Sequence, residues 1–117
     1  RPHQKLDLWR RAIEFLVSIY RATERFPKEE KFGLTSQVRR AAVSIAANVA
    51  EGAARTSTKE FLQFLSVSQG SASEADTELV IACRLGYITK NEYEHFGREL
   101  DDLGRMITRL SQSLRRR

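Results

Sequence analysis

The sequence predicts an all-α protein, an antiparallel up-down-up-down four-helix bundle, on three observations. Apolar residues recur at helical spacing through four long segments, and short links punctuated by proline, glycine or capping residues separate them. No stretch alternates polar and apolar residues as a half-buried strand would. At 117 residues the chain has the size of one domain, expected to span residues 1–117. A chain of this length buries roughly two thirds of the surface its unfolded form exposes, so it needs neither disulfide nor metal to fold.

The first helix is predicted over about residues 6–26. Trp9, Ile13, Leu16 and Tyr20 form its apolar stripe, flanked by Leu8, Ala12, Phe15 and Ile19. At about 100° per residue these cover an arc of roughly 160°, wider than a single contact needs, so this helix is expected to touch more than one neighbour. Pro27 ends it, and the charged link Lys28-Glu29-Glu30-Lys31 is expected to be solvated.

The second helix, about residues 34–53, has an alanine-rich inner stripe of Leu34, Val38, Ala41, Ala42, Ile45, Val49 and Ala53, which lets a neighbour approach closely. Gly52 reads either as a left-handed cap or as a mid-helix glycine costing about 1 kcal/mol. Ser57-Thr58-Lys59-Glu60 announces the third helix, about residues 57–85, as a capping box. Its small polar middle, Ser68 to Ser73, can be read as a turn. The apolar period keeps its phase across it, however, which favours a continuous helix with a tight packing point. Gly86 terminates it. Thr89-Lys90-Asn91-Glu92 is a second capping box, opening a helix over about residues 89–114. There Tyr93, Phe96, Leu100, Leu103, Ile107, Leu110 and Leu114 step 3-4-3-4-3-4, a heptad seam for shallow-angle packing.

Composition excludes several classes. With 41% hydrophobic and 30% charged residues the chain is neither a disordered tail nor, lacking a long apolar run, a membrane span. The single Cys83 rules out an internal disulfide framework and fits a reducing compartment, so a cytoplasmic location is expected. The chain starts at Arg1, so a trimmed start is expected and no targeting peptide is readable. His3 and His95 are isolated, and no His-x-x-x-His or Glu-x-x-His pair offers the ligands of a bundle metal site. No phosphate-cradling Gly-x-x-x-x-Gly-Lys-Ser/Thr loop occurs, and Cys83 lies on an apolar helix side. No catalytic residues, metal ligands or cofactors are therefore assigned, and the protein is not expected to be an enzyme.

Two polar constellations remain. On the second helix Gln37, Arg40, Ser44, Asn48, Glu51 and Arg55 step by 3 or 4 along one face. Solvent faces usually carry longer charged residues, so Ser44 and Asn48 favour a hydrogen-bonding seam, within the bundle or between subunits, over a ligand contact. The third helix, with two basic and four acidic residues between 57 and 85, places Glu74 and Glu78 one turn apart. An ion-pair network with Arg39, Arg40, Arg55 or a neighbouring subunit is the favoured reading of that pair.

The sharpest charge feature is a row of arginines. Arg98, Arg105, Arg109 and Arg116 step 7-4-7, which places them within roughly 40° of one another and opposite the heptad seam. Arg115 and Arg117 extend the same end, and Arg10, Arg21 and Arg25 form a looser basic face on the first helix. In a chain of net charge +5 such a ridge can grip phosphates. Helical ion pairs with Glu94, Asp101 and Asp102 are the plainer alternative.

The stretch from Gln37 to Gly52, with Ser44, Asn48 and Glu51-Gly52 at its heart, resembles the signature of the four-helix-bundle proteins encoded in intervening sequences of bacterial 23S ribosomal RNA genes. Gly70-Ser71-Ala72-Ser73-Glu74, Leu85-Gly86-Tyr87-Ile88 and the opening Leu6-Asp7-Leu8-Trp9 are similar to it as well. Ala46 and Ala72 stand where proline and leucine are more usual, both packing changes. The resemblance implies a homopentameric ring and kinship with the basic pentameric accessory protein of diversity-generating retroelements. It brings no catalytic residues and no settled activity. Three partners are accordingly expected: further copies of the chain, structured RNA or DNA, or another protein.

Overall fold

The computed structural model describes residues 3–116. They form α1 (Gln4–Thr23), α2 (Leu34–Ala53), α3 (Thr58–Arg84) and α4 (Lys90–Arg115), with one 3-10 turn at Lys28–Glu30. No strand occurs among the described residues. Each helix packs on its neighbours in chain order and α4 closes on α1, giving an antiparallel bundle of 47 × 25 × 18 Å.

α1 turns a different face inward from the one its aromatic residues suggest. Leu8, Ala12, Phe15 and Ile19 are fully buried, while Trp9 and Tyr20 remain 39% and 43% exposed. The helix carries two apolar stripes, and one core can take only one of them. The inner stripe has the small Ala12 at its centre and sends Phe15 edge-on to Phe96 of α4, with ring centroids 6.2 Å apart. α1 also ends at Thr23, earlier than residue 26. The Thr23 hydroxyl donates to the Ile19 carbonyl at 2.8 Å, and the amides of Arg25 and Phe26 bond three residues back. This tightened turn swings Phe26 into the core against Tyr87, centroids 5.3 Å apart, ahead of Pro27.

The link that follows is not simply solvated. Glu30 Oε1 accepts the Leu34 amide at 3.0 Å and Oε2 accepts the Tyr87 hydroxyl at 2.9 Å. One carboxylate thus caps α2 and ties it to the loop after α3. Those two donors, the amide first, hold Glu30 below the usual carboxylate range.

α2 and α3 form the most extensive helix pair because their facing residues are small. Gly52 is buried inside α2 and does not take a left-handed conformation. A Cβ there would lie 2.8 Å from Phe61 Cδ1 and 2.8 Å from Phe64 Cβ, so glycine permits the close approach. α3 is continuous through its polar middle, where the fully buried Ser68 donates to the Ile45 carbonyl of α2 at 2.7 Å. Gly86, at φ +80°, ends it as expected.

The α4 seam is buried from Phe96 to Leu114, with Tyr93 half-buried and its hydroxyl 2.9 Å from Asp76 Oδ1. Its capping box is reciprocal: the Glu92 amide donates to Thr89 Oγ1 and the Thr89 amide to Glu92 Oε1. At α3 the box is incomplete. Ser57 Oγ accepts the Glu60 amide, but its own hydroxyl, not its backbone, meets the Glu60 carboxylate.

Candidate nucleic-acid interface

Because the α4 seam faces inward, Arg98, Arg105, Arg109 and Arg116 all lie exposed on the opposite side. Arg10, Arg21 and Arg25 of α1 are exposed too, whereas Arg117 lies outside the described residues. Ion pairing separates these arginines. Arg105 Nη2 lies 2.5 Å from Asp102 Oδ1, and Arg11 reaches the same carboxylate from α1 at 3.1 Å. These guanidinium groups, Arg105 foremost, hold Asp102 below the usual carboxylate range. Arg25 is engaged by Glu92 at 2.5 Å. The Thr89 amide and then Arg25 keep that carboxyl low. Among the described residues, Arg10, Arg21, Arg98, Arg109 and Arg116 make no ion pair.

The ridge is therefore uneven. Its first half shares α4 with Glu92, Glu94, Glu99, Asp101 and Asp102. From Leu103 onward α4 and its C-cap residue carry Arg105, Arg109, Arg115 and Arg116 and no carboxylate. Antiparallel topology brings this end beside the start of α1, where a recess of about 220 Å³ brings Arg109 together with His3, Gln4 and Asp7. A groove of about 540 Å³ runs between α3 and α4, lined by Gln69, Ser73, Asp76, Asp101, Arg105 and Arg109. Between α1 and α4 a third depression, about 560 Å³, holds Arg11, His95, Arg98, Glu99 and Asp102. In it Glu99 is pushed up by burial, with His95 Nε2 3.4 Å away pulling it back. These grooves mix both charge signs. Among the described residues no three of His, Cys, Asp and Glu are grouped to hold a metal ion. Cys83 is half-buried against the core.

The second-helix stripe divides in the same way. Ser44 and Asn48 form a real seam: Asn48 Nδ2 donates to the Ser44 carbonyl at 2.9 Å and to its hydroxyl at 3.0 Å, and Ser44 Oγ meets Ser71 Oγ of α3 at 2.7 Å. Gln37, Arg40 and Glu51 are not part of that seam, and Glu51 pairs with Arg55 along its own helix at 2.8 Å.

The expected ion pairs between Glu74 or Glu78 and the arginines of α2 do not form. Arg39 instead donates to Thr23 Oγ1 and the Tyr20 carbonyl and stacks on the Tyr20 ring at 4.5 Å. Arg55 lies over Phe64 at 4.9 Å as well as on Glu51. Glu74 is exposed; Glu78 is buried, and its Oε1 has no hydrogen-bond partner. Burial, then repulsion from Glu74, raises the Glu78 pKa to about 7. The Asp102–Arg105 pair is one of the helical ion pairs the sequence offered, whereas Arg11's reach to the same carboxylate was missed, since Arg11 and Asp102 are 91 residues apart.

No curated protein matches the chain. Among solved structures it is similar to a protein of unknown function from the S23 ribosomal protein family of Bacteroides thetaiotaomicron. That match has a TM-score of 0.85 and 22% identity, and covers 93% of this chain and 98% of that one. At that identity the likeness is one of fold. The family model described as 23S rRNA-intervening sequence protein matches residues 4–109. With a match over most of its length and the four-helix architecture above, the chain belongs to the 23S rRNA-intervening sequence protein family.

Proposed function

We propose that the protein is a non-enzymatic, homo-oligomeric accessory protein, pentameric as the family resemblance implies, that binds structured RNA or DNA in the cytoplasm. The observation that carries this reading is the exposed arginine row of α4, which beyond Asp102 has no carboxylate on its own helix to neutralise it. A single copy offers only a few phosphate contacts. Repetition of the ridge by symmetry makes several weak contacts act together. Arg109, Arg115 and Arg116 form the core of the contact, with Arg98, Arg10 and Arg21 at its margins, while Arg25 and Arg105 are held by carboxylates. Fluorescence anisotropy with a structured RNA tests it across a salt series: affinity is expected to fall steeply as salt rises. Absent or salt-insensitive binding contradicts it.

A second reading, a protein-interaction scaffold without nucleic-acid contact, draws on the opposite end of the bundle. There Phe32 is 89% exposed on the short loop between α1 and α2, and Leu85 is exposed at the end of α3. A partner captured through that end and retained after nuclease treatment would favour it.

A further inference from the structure

The groove between α3 and α4 holds two charges of opposite sign that the chain itself leaves unused. Its floor is apolar and small: Ala72 and Leu100 are buried, and Gly104 has no side chain to fill the space beside them. A Cβ at Gly104 would stand 3.3 Å from Gln69 Oε1, so glycine leaves the Gln69 amide room over α4. That amide donates to the Gly104 carbonyl at 3.5 Å and to Thr108 Oγ1 at 3.4 Å. Both bonds are long, so exchanging them for a ligand's acceptor costs little.

The charges are sorted along the groove. Asp76, whose Oδ1 accepts the Tyr93 hydroxyl, and Asp101 stand toward the start of α4, and Arg109 lies toward its end. Asp101 and Arg109 are exposed, and their side chains form no hydrogen bond or ion pair among the described residues. Arg105, between them, is held by Asp102. At 1.5 Å per residue Asp101 and Arg109 are about 12 Å apart along the axis of α4. A duplex backbone offers this groove only anions, which the carboxylates oppose. The ligand that suits both ends carries an anion at one and hydrogen-bond donors at the other, as a nucleotide carries its phosphate and the outer edge of its base.

Among the bases, guanine matches a carboxylate. Its N1–H and N2–H lie side by side and donate to two carboxylate oxygens, the forked geometry that a guanidinium also presents. Adenine and cytosine set a ring-nitrogen acceptor beside their amino group, and the one N–H of uracil lies between two carbonyls. The guanine edge is free only where the base is unpaired, as in the loops and bulges of structured RNA. The geometry points to an unpaired guanosine of structured RNA as the ligand of this groove, its base edge on Asp101 beside Asp76 and its phosphate on Arg109. The base then lies over Ala72, Leu100 and Gly104. This rests on the nucleic-acid reading above and names what that surface selects: the α4 arginines hold the backbone, and Asp101 chooses the base.

Fluorescence anisotropy with three RNA hairpins tests it, sharing one stem and differing at one loop position that holds guanine, inosine or adenine. The parent is expected to bind the guanine loop about tenfold tighter than the adenine loop, and inosine, which lacks the N2 amino group, to lose most of that advantage. Asp101→Ala, an exposed change checked for helical content, should level guanine with adenine without weakening the adenine complex. Arg109→Gln should weaken all three complexes alike and keep their ratio. A parent that binds the three loops equally, with affinity still falling as salt rises, overturns the guanosine assignment and leaves nucleic-acid binding standing. An Asp101→Ala protein that keeps the preference overturns it too. A parent that binds none of the hairpins at low salt removes both readings.

Discussion

Glu78 and Gly52 show how single residues trade against their surroundings. Burial lifts the Glu78 carboxyl from 4.5 to about 7, with Glu74 pushing the same way. Between those values the folded chain holds a proton that the unfolded chain has released, so this group's contribution makes stability fall as pH rises through the interval. Glu78→Gln should flatten that slope and raise stability at pH 8 by about 1–3 kcal/mol, read from urea unfolding at pH 5 and pH 8. An unchanged slope would put the proton elsewhere. Gly52 poses the opposite problem, a shortage of space. Gly52→Ala improves helix propensity by about 1 kcal/mol but forces a Cβ onto Phe61 and Phe64, so a net loss of about 1–2 kcal/mol is expected. Gly97→Ala, where a Cβ meets nothing within 4 Å, should instead gain about 0.5–1 kcal/mol. Equal effects at the two glycines in thermal melts would contradict this difference in packing.

Among the elements, α4 was the most legible and α1 the least. α4 has one apolar seam, a capping sequence at its start and an outward face of arginines, so period, cap and charge agree. In α1 two apolar stripes share the helical period, and nothing local says which one meets the core. The inner one proved to centre on Ala12 rather than on the larger Trp9 and Tyr20. Side-chain bonds across the fold were invisible for a different reason. Glu30 reaches Tyr87 over 57 residues and Arg11 reaches Asp102 over 91, distances at which spacing carries no signal. The short polar residues Ser44 and Asn48 were readable because their size does not suit a solvent face, and they do bond inward. The caps give a direct comparison. Thr89→Ala, which breaks a reciprocal box, should cost about 1–2 kcal/mol, whereas Ser57→Ala, at a half-formed one, should cost about 0.5–1 kcal/mol. Chemical denaturation of both variants checks the order, and a reversed order would contradict the difference between the two boxes.

At the scale of the whole molecule, inner apolar stripes hold the bundle and leave the α4 arginines exposed, a separation of apolar core from charged surface. The polyanion reading depends on that last separation. It also makes the arginines unequal, because Asp102 and Glu92 hold Arg105 and Arg25 but no carboxylate pairs with Arg109 or Arg116 among the described residues. The salt dependence of RNA binding reads this directly, since removing one phosphate-binding arginine lowers the slope of log affinity against log salt by about 0.7–0.9. Anisotropy titrations should therefore compare the parent with Arg109→Gln/Arg115→Gln/Arg116→Gln and with Arg25→Gln/Arg105→Gln, at unchanged oligomer mass. The expected result is a slope reduced by about 2–3 for each copy touching the RNA in the first variant and barely moved in the second. A first variant that binds structured RNA with the parent's affinity and slope would contradict the account.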